Sequence, residues 1–233
     1  MISLLCPTRG RQKNIDDLRE NVLNTVSDQY NIELLIKQDG DSLIELDSRY
    51  TFIKSFIGTR SDYLNRDYYN FLAKEAQGDY LFSIGDDVRF ITKDWDKILE
   101  EKIEAYLKDK PDRIAYISVS ERGSQAKHPC FPLITKEAFQ TIGMYFHPQL
   151  LSWGADRCLY ELYSGVNRIL HIPEIEIEHL SYHDGKAPRD ETANSMRERF
   201  FRDPNCHNKI SQDIIPNQIE ELGNYIKRFN KEK

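Results

Sequence analysis

The chain has 233 residues, and 32 Lys and Arg against 38 Asp and Glu leave a formal charge of −6. That length suits one compact domain, and 39% hydrophobic with 30% charged residues is a globular balance. Thirteen Tyr and 11 Phe argue against disorder, no apolar run approaches the roughly 20 residues that cross a bilayer, and the acidic balance disfavours broad attraction to nucleic acid.

Residues 2–6 form an apolar run halted by Pro7, Arg9 and Gly10, which predicts a buried strand feeding a polar loop. The run is too short for the core of a secretory leader. Ile15, Leu18, Val22, Leu23 and Val26 recur at helical spacing and predict a helix over 14–27. Strands follow at 32–37, running into Gln38-Asp39-Gly40-Asp41, and at 51–57. A second helix is expected over 61–76, with Gly78 as its left-handed cap. A strand at 80–84 then runs into Gly85-Asp86-Asp87. The spacing predicts a helix over 95–107, stopped by Pro111, and a strand over 114–119. This β-α-β-β-α-β-α-β order implies an α/β fold with a mostly parallel sheet between helices.

The second half is less regular. Helices are expected at 136–142 and 155–163, and strands at 168–172 and 174–179. Strict alternation over 174–178 gives that strand one wet and one buried face. Beyond Gly185 the apolar residues thin to Ile214, Ile215, Ile219, Leu222 and Ile226, a peripheral helical tail with a frayed end. Cys6, Cys130, Cys158 and Cys206 are scattered without CxxC spacing, so reduced thiols in a soluble cytoplasmic protein are expected.

Ligands of open α/β sheets bind at the carboxyl ends of the strands. Parallel strands would bring Thr8-Arg9-Gly10-Arg11, Gln38-Asp39-Gly40-Asp41 and Gly85-Asp86-Asp87 to one edge. Guanidinium groups such as Arg9 and Arg11 suit phosphate oxygens. Asp39 can accept from a nucleobase N–H, and the adjacent Asp86 and Asp87 suit a ribose hydroxyl and a hard divalent cation. Any one cluster alone reads equally well as a set of surface ion pairs; the three together point to a site.

The run from Asn70 through Gly78-Asp79-Tyr80 to Gly85-Asp86-Asp87-Val88 resembles the core of GT-A glycosyltransferases, especially those of family 2. In that family a helix carrying an Asn leads to a strand that delivers an aspartate-rich, DxD-like motif. Pro7-Thr8-Arg9-Gly10-Arg11 and Gln38-Asp39-Gly40 are similar to its nucleotide-binding loops, so the likeness covers roughly the first 90 residues. Trp153-Gly154-Ala155-Asp156 resembles the acidic motif on the family's acceptor side. Glu178-His179-Leu180, followed by Gly185-Lys186, resembles its late metal-ligand histidine and loop. The combination looks most like small bacterial and phage members. There are two departures: Gly85 stands at the first aspartate of the common triple-Asp form, and Gln38 stands where an aspartate is frequent.

The resemblance implies a GT-A, Rossmann-like central sheet with a smaller acceptor-side sheet and a helical tail, within one domain over 1–233. Its nucleotide-sugar half would span 1–120, its acceptor half 121–186 and its tail 187–233. It implies a metal-dependent transferase taking a nucleotide-sugar donor, UDP-linked, by an inverting course. Thr8, Arg9, Arg11, Asp39, Asn70, Asp86 and Lys186 would bind the donor, Asp87 and His179 would hold Mn2+ or Mg2+, Asp156 would be the base and Trp153 would meet the acceptor. Asp156 also reads as a helix N-cap, and Trp153 as a core residue. His128 and Cys130, flanking Pro129, border the acceptor side, whereas His183 reads as a loop residue that does not share an ion with His179. The acceptor is left open among a glycan, a lipid-linked sugar, a protein and a modified nucleic acid, the last kept in view by Arg197, Arg199 and Arg202. Two other readings stand beside this one: a nucleotidyltransferase of similar fold, and a non-catalytic module that binds nucleotide or glycan.

Overall fold

Alternation along the first strand decides how the layers are built. In β1 (Ile2–Thr8), Ile2, Leu4 and Cys6 face one core and Leu5 the other, as the period of two requires. The computed structural model describes residues 1–122, 128–181, 185–187, 189–202 and 206–231. Helix α1 (Gln12–Thr25) is followed by β2 (Ile32–Asp39) and β3 (Ile53–Gly58). A π-helical turn, Leu64–Tyr69, runs into α2 (Asn70–Glu75), and β4 (Tyr80–Ser83) and β5 (Val88–Phe90) come next. Then follow α3 (Trp95–Leu107), β6 (Tyr116–Glu121), β7 (Leu133–Thr135), α4 (Lys136–Ile142), α5 (Ala155–Gly165) and β8 (Ile169–His179). The tail holds α6 (Glu191–Arg202), α7 (Cys206–Lys209), a second π-helical turn Ile210–Ile214, and α8 (Ile215–Phe229).

The strands form one eight-stranded sheet in the order β3-β2-β1-β4-β7-β6-β8-β5. β5 and β7 run against the rest. On one face α1 and α3 cover Leu4, Leu34 and Phe82, with Trp95 stacked on Phe90 at 4.1 Å. On the other, α2, α4, α5 and α8 cover Leu5, Leu35, Leu81, Tyr116 and Ile134. This is the mostly parallel, helix-flanked architecture expected from the element order.

The acceptor-side strands extend this sheet instead of closing a second, smaller one, because β7 pairs with β4 in register Tyr80↔Thr135. β5 and β7 are three residues each, too short for periodicity to reveal. The strands expected at 168–172 and 174–179 are one strand. Pro173, which has no N–H for the ladder, sits where the β6–β8 register slips between Val119 and Ser120. Gly78 is not a left-handed helix cap either: α2 ends at Glu75 with Ala76 extended. Its amide donates to Ser3 Oγ at 2.9 Å, and a Cβ there would lie 2.5 Å from that oxygen and 2.7 Å from Met1 O. Among the described residues no helix is long and apolar enough to cross a membrane.

Gly78→Ala therefore forces the turn before β4 away from β1, and a loss of about 1–3 kcal/mol is expected in denaturant unfolding. An unchanged unfolding midpoint would show that close approach is not what holds glycine there.

Candidate active site

The carboxyl ends of β1, β2, β3, β4, β6 and β8, with the amino ends of β5 and β7, share one edge of the sheet, where ligands of such folds bind. Asp86, just past β4, is buried there. Thr8 Oγ1 donates to it at 2.6 Å, Arg11 Nη1 at 2.8 Å and Asn14 Nδ2 at 3.5 Å. Burial raises the Asp86 carboxyl above its ordinary range and neighbouring Asp87 adds to this, while Arg11 and Thr8 pull it back. Arg11 also donates from Nε to Asp190 Oδ2 at 2.8 Å, so the start of α6 closes over it.

One strand over, Asp39 at the end of β2 is wholly buried. Arg9 Nε donates to its Oδ2 at 2.6 Å and the Tyr68 hydroxyl to its Oδ1. Both oxygens are engaged, so a nucleobase N–H would have to share or displace one of these partners. Arg60, after β3, lies 3.9 Å from the same carboxylate and pairs with Glu191 of α6 at 2.8 Å. Gln38 braces the loop, donating to Ser55 Oγ at 2.7 Å and accepting from Ile44 N at 2.7 Å.

On the other side of Asp86, Asp87 Oδ2 lies 3.5 Å from His179 Nε2, at the end of β8. His179 Nδ1 lies 3.5 Å from Glu121, at the end of β6, and Phe131 packs edge-on against the ring at 4.8 Å. The register Val88↔His179 and the bond from Leu180 N to Asp87 O, at 2.8 Å, hold the pair in place. A Cβ at Gly85 would meet Asp87 Oδ1 at 2.3 Å, so a side chain there would require the Asp87 carboxylate to turn. Burial opposes a charged His179, but bonds to Asp87 and Glu121 outweigh it and lift the imidazole to about 9. Lys186 lies nearby, 3.0 Å from Glu178.

Among the described residues no group of three or more His, Cys, Asp or Glu is arranged to hold a metal. Asp87 and His179 nevertheless fit a hard divalent ion of the kind held by one or two protein ligands and completed by water and phosphate oxygens. A carboxylate oxygen and an imidazole nitrogen face each other, and an ion here would displace the proton that His179 shares with Asp87 and Glu121, since a ligating imidazole is neutral.

The acceptor side is tied to this edge through β7. Asn65 donates to the carbonyls of Leu150 and Ser152 at 2.9 and 3.1 Å. Asn70 donates to Phe146 O at 2.8 Å and accepts from the amides of Tyr145 and Phe146. Asn70, expected at the donor, is buried and engages the backbone before α5 through both its carbonyl oxygen and its amide nitrogen. Trp153 is half-buried in the turn before α5, where Gly154 is left-handed at φ +85°. Asp156, in the first turn, accepts from Arg157 N at 2.9 Å and lies 3.4 Å from His128 Nε2; it is not the N-cap, which is Gly154.

The structure thus gathers Thr8, Arg9, Arg11, Asp39, Asp86, Asp87, His179 and Lys186 along one edge, and sets Asp156 with Trp153 at α5. Tyr68, Arg60, Asn14, Glu121, Asp190 and Glu191 were not anticipated. Only Arg60 carried a signal, since it follows a strand end like the three clusters already singled out. His183 lies outside the described residues, as do the side chains of Arg199 and Arg202; Arg197 is exposed over Phe201.

No family model matches the chain, and no curated protein does. Solved structures do. A mannosyltransferase from Pyrobaculum calidifontis, in complex with GDP-Man and Mn2+, matches with a TM-score of 0.62 at 13% identity, over 97% of this chain and 69% of that one. TarS 1-349 of S. aureus, in complex with UDP-GlcNAc, matches at 0.57 and 15%, over 96% and 80%. GalNAc-T7 with UDP, GalNAc and Mn2+ matches at 0.57 and 11%, over 99% and 55%. The chain has the GT-A fold of glycosyltransferases, as the sequence resemblance implied.

The raised His179 gives a pH test on metal-free protein. Its folded value, about 9 against an ordinary 6.5, means that its stabilisation is complete below pH 6.5 and is lost as the pH rises through 9. The melting temperature in chelator is expected to fall across that window, by about 2–4 °C for each kcal/mol lost. His179→Gln should flatten the fall; an equal fall in the variant would assign it elsewhere.

Proposed function

We propose that the protein is a glycosyltransferase that moves a sugar from a nucleotide-sugar donor to a hydroxyl acceptor. The observation that carries this reading is the meeting of Arg11, Asp86, Asp87 and His179 at the edge of a GT-A sheet. The donor's diphosphate faces Arg11, with Lys186 beside it, and its ribose faces Asp86, the carboxylate nearest Thr8 and Arg11. The nucleobase lies toward Asp39 and Arg9. A UDP-linked donor is favoured by two of the structural neighbours, which carry UDP or UDP-GlcNAc. Trp153 offers the acceptor an aromatic face.

Departure of the sugar leaves negative charge on the diphosphate, and donors aimed at that charge lower the barrier. Asp87 and His179 would hold a divalent cation, Mn2+ or Mg2+, which supplies charge neutralisation at the leaving group when bound; two neighbours hold Mn2+. Arg11 orients the phosphates with a fork-shaped set of N–H groups. The acceptor hydroxyl loses its proton at the Asp156 site, on the acceptor side, which favours single displacement and inversion. Work in the reducing cytoplasm agrees with cysteines that form no disulfide among the described residues.

A screen of UDP-GlcNAc, UDP-GalNAc and GDP-mannose with Mn2+, reading nucleotide release, tests the proposal. Nucleoside diphosphate is the expected product; pyrophosphate would make the protein a nucleotidyltransferase. Asp87→Ala is expected to lower metal-dependent turnover by about 10²–10³-fold. Asp156→Asn should keep nucleotide affinity and lose about 10²–10⁴-fold in turnover. Metal-independent turnover at the wild-type rate in Asp87→Ala would contradict the assignment of the cation.

A further inference from the structure

Between the two centres runs a short segment, residues 128–132, that enters β7 and touches both. Phe131 packs on His179 and lies 3.6 Å from a Cβ built on Gly85. His128, three residues earlier, places Nε2 3.4 Å from Asp156 Oδ2. Three residues of chain span at most about 10–11 Å, so the backbone of His128 lies within that reach of the backbone of Phe131, whose ring contacts His179. Both side chains keep some exposure, 25% for His128 and 22% for Asp156, so a small hydroxyl can approach them.

Resting on the transferase reading, we infer that His128 is the group that takes the acceptor's proton, and that Asp156 is its positioning residue. A carboxylate beside one ring nitrogen fixes the tautomer: Nε2–H points to Asp156, and Nδ1 carries the lone pair. The acceptor O–H proton passes to Nδ1 as the acceptor oxygen forms its bond to the sugar's anomeric carbon. The bond from that carbon to the diphosphate breaks, and its electron pair leaves with the nucleoside diphosphate. Asp156 stays ionised throughout and stabilises the imidazolium that forms, the division of labour seen in Asp–His pairs generally.

The charges around His128 agree with the role. Its imidazole is raised above the ordinary range, chiefly by the bond to Asp156; burial opposes the shift, Arg157 lowers it and Glu161 raises it. From β6, Tyr116 presents a buried hydroxyl that is close enough to Asp156 and Cys130 to feel both. A base whose pKa lies nearer the working pH removes a proton more effectively than an ordinary carboxylate. This also gives a reason for a histidine at the mouth of β7, which the fold alone does not need.

The test is hydrolysis of UDP-GlcNAc, UDP-GalNAc and GDP-mannose, with water as acceptor and Mn2+ present, by wild type, His128→Gln, Asp156→Asn and the double variant. His128→Gln is expected to lower kcat by about 10²–10⁴-fold, with KM for donor and UDP affinity unchanged. The double variant should be no slower than the slower single one, because the pair acts as a unit. In wild type kcat/KM should fall on the acid side as His128 protonates, and that limb should vanish in His128→Gln. A His128→Gln enzyme within about threefold of wild type, or one that keeps the acid limb, would return the base to Asp156. Wild-type protein that turns over no donor would overturn the transferase reading, and this assignment with it. Imidazole titration by NMR reads the pair without turnover: His128 should titrate above the ordinary range in wild type and lower in Asp156→Asn. A titration unmoved by that change would overturn the pairing even if the transferase reading stands.

Discussion

A buried carboxylate is costly unless its neighbours supply charge and hydrogen bonds, and Asp86 is the carboxylate on which this edge of the sheet depends. It follows β4 directly, and its partners come from the end of β1, the loop beyond it and the first turns of α1. Satisfying Asp86 therefore fixes how the loop carrying Arg9 and Arg11 leaves the sheet. That path brings Arg9 to Asp39 on the next strand. One buried charge aligns three strand ends.

Antiparallel strands extend the same logic. β5 starts immediately after Asp87 and pairs with the last residues of β8, which places His179 opposite the aspartate. β7 pairs with β4 and draws the segment ending at Phe131 over His179. Without these two short strands, the candidate metal pair and the Asp156 region would belong to separate parts of the chain. Asn65 and Asn70 complete the link, binding the helix before β4 to the backbone that leads into α5. Arg11 and Arg60 meanwhile hold Asp190 and Glu191, so an anionic ligand at these guanidiniums meets competing carboxylates first.

Much of this was legible in the sequence where periodicity or a strand-end rule applied. The helices at 95–107 and 136–142 coincide with their predicted bounds because apolar spacing and clear stop signals frame them. Thr8, Arg11, Asp86 and Asp87 fall together because parallel strands must deliver their carboxyl ends to one edge, whereas His179 joins them in the sequence only through the family resemblance. What stayed hidden depended on three-dimensional pairing. Three-residue strands leave no periodic trace, and Glu121 gains its place beside His179 only through β6–β8 pairing. The partners of Asn70 are hidden for a related reason: a polar residue in a recognisable motif gives no sign that it engages backbone groups 75 and 76 positions away. The net charge of −6 was a poor guide for a similar reason, since its informative part is the handful of carboxylates and guanidiniums at the sheet edge.

The central claim is that this edge binds a nucleoside diphosphate together with a divalent cation. Calorimetric titration of UDP into the wild-type protein, with and without Mn2+, tests it most directly. The account predicts binding that is tightened by the metal and lost in Asp87→Ala and Arg11→Ala. Binding of the same strength with and without metal, or unaffected by both substitutions, would contradict it.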